Sequence, residues 1–134
     1  MLVHLPVACW TLTPLCDALA ILLGKDVFWQ ASALIAAFGA VGGALAATAG
    51  AMDLPRAQAK AAKLALMHAS LMGAAWVLAV IGLLGRVDQT YVALSPAPWW
   101  AIAASGAAFL VMIAGAWFGG EMVYCRGVGV HEDS

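Results

Sequence analysis

The sequence predicts an all-α integral membrane protein, a four-helix bundle forming a single domain over residues 1–134 with both termini on the same side. Two observations carry this. Hydrophobic residues make up 65% of the chain and charged residues only 10%, where soluble domains carry roughly a quarter charged residues. Four apolar runs, at about residues 5–23, 30–52, 64–84 and 99–118, each match the roughly 20 residues that cross a ~30 Å hydrocarbon core. A formal net charge of −1 leaves no basic footprint, which argues against nucleic acid as a partner.

The first run opens with His4 and Pro6 and contains Pro14 and Asp17. Pro6 suits a first helical turn, where a missing N–H costs nothing. Pro14 lies mid-helix, so it bends the helix and frees a carbonyl that a neighbour must satisfy. No basic region precedes the run and no small-residue cleavage pattern follows it, so it reads as a retained helix rather than a signal peptide. Cys9 and Cys16 share one helical face. With Cys125 they form neither CxxC nor CxxCH, which speaks against a zinc ribbon or a c-type haem; they read as small apolar core residues. Gly24-Lys25-Asp26 is a turn, and Phe28 and Trp29 are expected as interfacial anchors.

The second run is built from small residues. Gly39, Gly43 and Ala47 form one row, and Gly42, Ala46 and Gly50 a parallel one. Such rows let helices approach closely in lipid, their commoner meaning, or leave room for a flat cofactor. Asp53-Leu54-Pro55-Arg56 ends this helix. The third begins as an amphipathic stretch, Arg56 to Lys63, then turns apolar from Leu64 to Leu84 around His68, Met67, Met72 and Trp76. Arg86, Asp88 and Gln89 mark its exit into a loop, Val87 to Pro98. Trp99-Trp100 supplies an interfacial belt for the fourth helix. That helix carries another small-residue row, Ala104, Ala108, Gly115 and Gly119, and the chain is expected to leave the membrane at Gly120.

Sorted by depth, His4, Asp53, His68, Glu121, Tyr124 and the cations Arg56, Lys60, Lys63 and Arg126 belong to the terminal side, against Lys25 and Arg86 on the other. This excess places the terminal side in the cytoplasm. It also places any site at the terminal-side end. At 1.5 Å per residue, His68 lies one to two turns below that surface and His4 close to it. Two histidines on different helices are the minimum set for a b-type haem. His4 and His68 would be its axial ligands, the glycine rows its walls, and Arg56, Lys60, Lys63 or Arg126 its propionate partners, with Tyr124 shaping the docking surface. Met67 or Met72 could replace one histidine. The plainer alternative is that His4 bonds headgroups and His68 pairs with Asp53 or Glu121 across helices.

Asp17 lies near the bilayer centre, one turn beyond Pro14. An ionisable group there marks either a proton carrier or a buried hydrogen-bond partner. The structural reading is favoured, with Asp17 protonated or bonded to Thr13, Trp10 or a freed backbone N–H, because no second acid shares its depth. Hydrolytic and transferase chemistry is not readable: nucleophile elbow, metalloprotease histidine pair and phosphate-binding glycine loop are all missing.

The opening Val3-His4-Leu5-Pro6 and the closing Gly119-Gly120-Glu121-Met122-Val123-Tyr124 followed by Gly127-Val128-Gly129-Val130 resemble the bacterial four-helix membrane family catalogued as domain of unknown function 2231. Asp17, Gly50 with Asp53, and His68 match its aspartate late in the first helix, its Gly-x-x-Asp and its third-helix histidine. Leu5, Met122 and Cys125-Arg126 depart from its usual residues. The resemblance implies a multi-pass protein of the bacterial inner membrane. The family's occurrence beside Rieske-type and c-type cytochrome domains further implies membrane electron transport. Two functions follow as expectations. One is a small electron-transfer protein that binds haem b through His4 and His68, or interacts with a quinone, and passes electrons to or from a redox partner on the terminal side. The other is a cofactor-free accessory or anchor subunit of a respiratory or photosynthetic complex. A transporter fits less well, since four short helices leave little room for a gated path.

Overall fold

The computed structural model describes residues 3–53 and 62–126, without the side chains of Asp53 and Arg126. Four helices account for nearly all of it: α1 (His4–Leu23), α2 (Asp26–Asp53), α3 (Ala62–Gly85) and α4 (Trp99–Arg126). All four are long and apolar enough to cross a membrane. Among the described residues, extended pairing is limited to one isolated bridge between Val87 and Ala93.

Two helices outrun the expected spans. Gly24, at φ 62°, closes α1 by donating its N–H to Ala20 O at 2.9 Å, and only Lys25 separates it from α2. Asp26 sits in the first turn of α2, where a carboxylate complements the helix dipole. At the other end, α4 continues through Gly119-Gly120 to Arg126. Leaving the hydrocarbon removes no backbone hydrogen bond, so the length that fits the bilayer did not set the length of the helix. At 1.5 Å per residue, each 28-residue helix is about 42 Å long and outreaches a ~30 Å core by about 12 Å.

The helices pair as two hairpins, α1 on α2 and α3 on α4. The hairpins meet through α2–α3 and a narrower α1–α4 contact. Cys9, Trp10, Ala75, Ala79, Ala108 and Met112 form the central core. Gly39, Gly42 and Gly43 serve close packing, because side chains already occupy the space beside them. A Cβ on Gly39 would stand 2.8 Å from Cys9 Cβ, and one on Gly43 would stand 2.5 Å from Trp76 Cδ1 and 2.7 Å from Trp10 Cζ2. The indole N–H of Trp76 donates to Ala40 O at 2.9 Å, fixing α3 against α2.

A second, smaller core closes the end away from the termini. There Ala20, Trp29 and Ala97 pack with Phe28 and Ile102. Trp29, only 7% exposed, is therefore a packing residue and not the interfacial anchor its position suggested. The α3–α4 connection folds back on itself: Leu94 N–H donates to Arg86 O at 2.8 Å and Asp88 N–H to Val92 O at 2.9 Å. The Ser95 hydroxyl then donates to Asp26 Oδ1 at 2.5 Å, tying this loop to the start of α2.

Candidate functional site

Arg86 follows the last residue of α3, where the sequence marks an exit from the membrane. Its side chain instead turns back into the bundle and is 1% exposed. Room for it comes from Gly82 and Gly85. A Cβ on Gly82 would lie 2.7 Å from Ser105 Oγ, and one on Gly85 would collide with the Trp100 ring. Within this narrow gap α3 and α4 approach closely enough for one guanidinium to reach all four helices.

Every nitrogen of that guanidinium donates. Nε bonds Gly82 O at 2.9 Å. Nη1 bonds Asp17 Oδ1 at 2.7 Å and also the Ser32 hydroxyl. Nη2 bonds Asp17 Oδ2 at 3.1 Å, Ala101 O at 3.1 Å and the Ser105 hydroxyl. Ser32 in turn donates to Asp17 Oδ1 at 2.5 Å, and Ser105 to Ala101 O at 3.0 Å. The arginine fork meets the carboxylate with two parallel bonds, the geometry that makes such pairs specific.

The register of this clasp is regular. Asp17 stands six residues before Leu23, Ser32 six after Asp26, and Ser105 six after Trp99. Each is thus about 9 Å inside the helix ends of the face opposite the termini. Asp17 and Ser32 come from the first hairpin, Arg86 and Ser105 from the second, so the clasp joins the two halves of the chain. Two sequence-based expectations are corrected here. Arg86 is a buried ion-pair partner rather than an exit charge. Asp17 bonds Arg86 and Ser32, not Thr13, Trp10 or a freed backbone N–H. The cluster lies at the end away from the termini, where two carboxylate oxygens, two hydroxyls and two carbonyls accept from the guanidinium.

The terminal-side candidates are more dispersed. His68 is half-buried on α3 with Nδ1 2.7 Å from Gly115 O of α4. A carbonyl can only accept, so Nδ1 carries a proton, and in the neutral ring the lone pair is on Nε2. The ring rests on Gly119, where a Cβ would stand 2.9 Å from Nδ1. His68 therefore makes its cross-helix bond to a backbone carbonyl, while Glu121 Oε2 accepts from Cys125 Sγ at 3.3 Å. His4, Lys63 and Tyr124 are exposed. Arg56 and Lys60, and the side chains of Asp53 and Arg126, lie outside the described residues. Among the described residues, no three His, Cys, Asp or Glu side chains group as a metal site.

Beside the clasp lies a void of about 10 Å³ lined by Trp10, Thr13, Ala36, Ala79, Ser105 and Ala108. That is space for about one water-sized molecule. Trp10 Nε1 is buried with no hydrogen-bond partner among the described residues.

The sequence missed Arg86, Ser32 and Ser105. A signal for them existed: a carboxyl and two hydroxyls inside apolar runs, at equal distances from helix ends on one face, with a cation at the same face. A family model described as a predicted membrane protein, DUF2231, matches residues 1–132. No curated protein and no solved structure matches the chain.

Proposed function

We propose that this chain, which belongs to the DUF2231 family of predicted membrane proteins, acts as a cofactor-free accessory or anchor subunit of a larger membrane complex. The observation that carries this reading is that the interior is spent. Trp10 and Trp76 fill the space beside Gly39 and Gly43, and every donor of Arg86 is satisfied within the chain. What remains available for function is surface, notably the ends of α2 and α4 that outreach the bilayer on the terminal side. The test is native electrophoresis of the tagged chain extracted gently from its own membranes. Co-migration with a fixed set of other polypeptides supports the reading, and migration as the isolated chain or its homo-oligomer overturns it.

A second reading, membrane electron transfer, is favoured by His68. Its Nδ1–H is held by a backbone carbonyl, which orients the ring and leaves Nε2 available to a metal. The space inside the bundle beside Gly39 and Gly43, filled by Trp10 and Trp76, does not fit a haem. A haem b would have to lie at its terminal-side margin, with His68 and His4 as ligands and Arg56, Lys60, Lys63, Arg126 and Tyr124 around the propionates. When bound it would supply one-electron chemistry, with a quinone or a redox protein as partner. Oxidised and dithionite-reduced spectra of wild type, His4→Ala and His68→Ala decide the matter. An α band lost in both variants would replace the accessory reading, and a flat spectrum from folded protein expressed with ample haem would remove the haem one.

We further place the protein in the bacterial inner membrane with its termini in the cytoplasm. With Arg86 buried, the opposite face retains only Lys25 against Arg56, Lys60, Lys63 and Arg126. Cys125, exposed on the terminal side, should react with a membrane-impermeant maleimide in inverted vesicles and not in intact cells; the reverse pattern would invert the topology.

A further inference from the structure

We propose that Tyr91 and Val92, at the tip of the α3–α4 connection, form a membrane-interface anchor that sits in the phospholipid headgroup layer. Tyr91 is 86% exposed and Val92 60% exposed, although the loop around them is firmly built. Asp88 Oδ1 accepts from Thr90 N–H at 2.8 Å, Thr90 Oγ1 at 2.7 Å and Val92 N–H at 2.9 Å, and Tyr91 N–H donates to Asp88 O at 3.0 Å. Tyr91 itself is held at φ 62°, a left-handed conformation that glycine or asparagine adopts more readily. The turn thus presents an aromatic ring outward at a position where the backbone alone would favour a smaller residue.

The reach of the loop identifies what covers that ring. Arg86 pairs with Leu94, Val87 with Ala93, and Asp88 with Val92, so the tip stands only two rungs beyond the buried arginine. At about 3.3 Å per residue, Tyr91 cannot rise more than about 10 Å from the end of α3. The headgroup region adds roughly 5–8 Å to each side of the hydrocarbon core. Downward ties keep it there: Ser95 bonds Asp26, and Ala97 is buried against Ala20 and Trp29. Gln89, Thr90, Tyr91 and Val92 carry no charge, and the Asp88 carboxylate is engaged by its own turn. Trp99, 79% exposed at the start of α4, stands at the same face. A phenol with an apolar body and a polar tip matches such a layer.

The chain has two tyrosines, which makes the proposal directly measurable. Fluorotyrosine-labelled full-length protein in phosphatidylcholine–phosphatidylglycerol nanodiscs gives two fluorine signals, assigned with Tyr91→Phe. The expected result is loss of the Tyr91 signal when the lipid carries a nitroxide near its headgroup, and its persistence with an aqueous gadolinium chelate. Loss with the chelate and persistence with the labelled lipid would place the tip in water and overturn the proposal. Persistence with both would place it under protein and overturn it equally.

Discussion

Arg86 and Asp17, 69 residues apart in sequence, meet as a two-pronged ion pair in which both side chains are 1% exposed. Neither hairpin carries both charges, so each half of the chain buries its own charge safely only by docking on the other. Desolvating such a pair offsets much of its Coulomb attraction, so its strongest effect is on specificity: it penalises every arrangement that separates the partners. The serines extend this. Ser32 and Ser105 accept from the guanidinium alongside the carbonyls of Gly82 and Ala101, so α2 and α4 are held in the same register as α1 and α3.

Removing one partner should therefore cost more than removing both. Asp17→Leu or Arg86→Met alone leaves an uncompensated buried charge, expected to cost about 3–5 kcal/mol, while the double variant should recover most of that loss. Unfolding of the detergent-solubilised protein by SDS or heat, arranged as a double-mutant cycle, measures the coupling. Additive losses would mean that the pair does not hold the hairpins together.

How far this site was readable follows from the same residues. The four helices were legible because span length and apolar content are local properties. The close-packing role of Gly39 and Gly43 followed from spacing alone. The clasp is not local. Arg86 sits beside Val87-Asp88-Gln89 and looks like a loop charge, and only the missing side chains at Gly82 and Gly85, opposite Ser105 and Trp100, let it turn inward. Counting from helix ends would have paired its depth with Asp17. His68 was legible as a candidate, but its partner, Gly115 O, is a backbone atom that no residue type advertises.

Glycine positions should divide sharply by what faces them. Gly43→Ala puts a methyl between Trp10 and Trp76 and should destabilise by about 1–3 kcal/mol through overpacking. Gly73→Ala meets open space and should be neutral or slightly stabilising, since alanine is the better helix former by about 1 kcal/mol. Parallel thermal melts test this, and equal losses at both positions would contradict the packing described.

The loop turn should weaken in acid. Hydrogen bonds from the Thr90 side chain, the Val92 N–H and the Thr90 N–H hold the Asp88 carboxyl below its ordinary value of 3.8. A depressed native value means that the ionised form stabilises the turn. That contribution is complete above 3.8 and is lost as pH falls through the lower native value. The Val92 amide shift should thus titrate below 3.8. Asp88→Asn should abolish the titration while keeping an acceptor oxygen, and Asp88→Ala should loosen the turn at every pH. A midpoint above 3.8 would reverse the sign and contradict the bonding.

The ring of His68 should be the Nδ1–H tautomer whenever it is neutral. Its partner, Gly115 O at 2.7 Å, has no proton to give, so the hydrogen must come from the imidazole. Long-range ¹⁵N–¹H spectra of histidine-labelled protein distinguish the two neutral tautomers directly, with His68 assigned by substitution to glutamine. Gly119→Ala supplies the control, because its methyl would press on Nδ1 from 2.9 Å and push the ring off the carbonyl. Its spectrum should shift towards Nε2–H. The tautomer also bears on the second functional reading, since a metal at this residue needs Nε2 deprotonated. Protein showing Nε2–H in the wild type would remove both the α3–α4 bond and the only lone pair that reading relies on at His68.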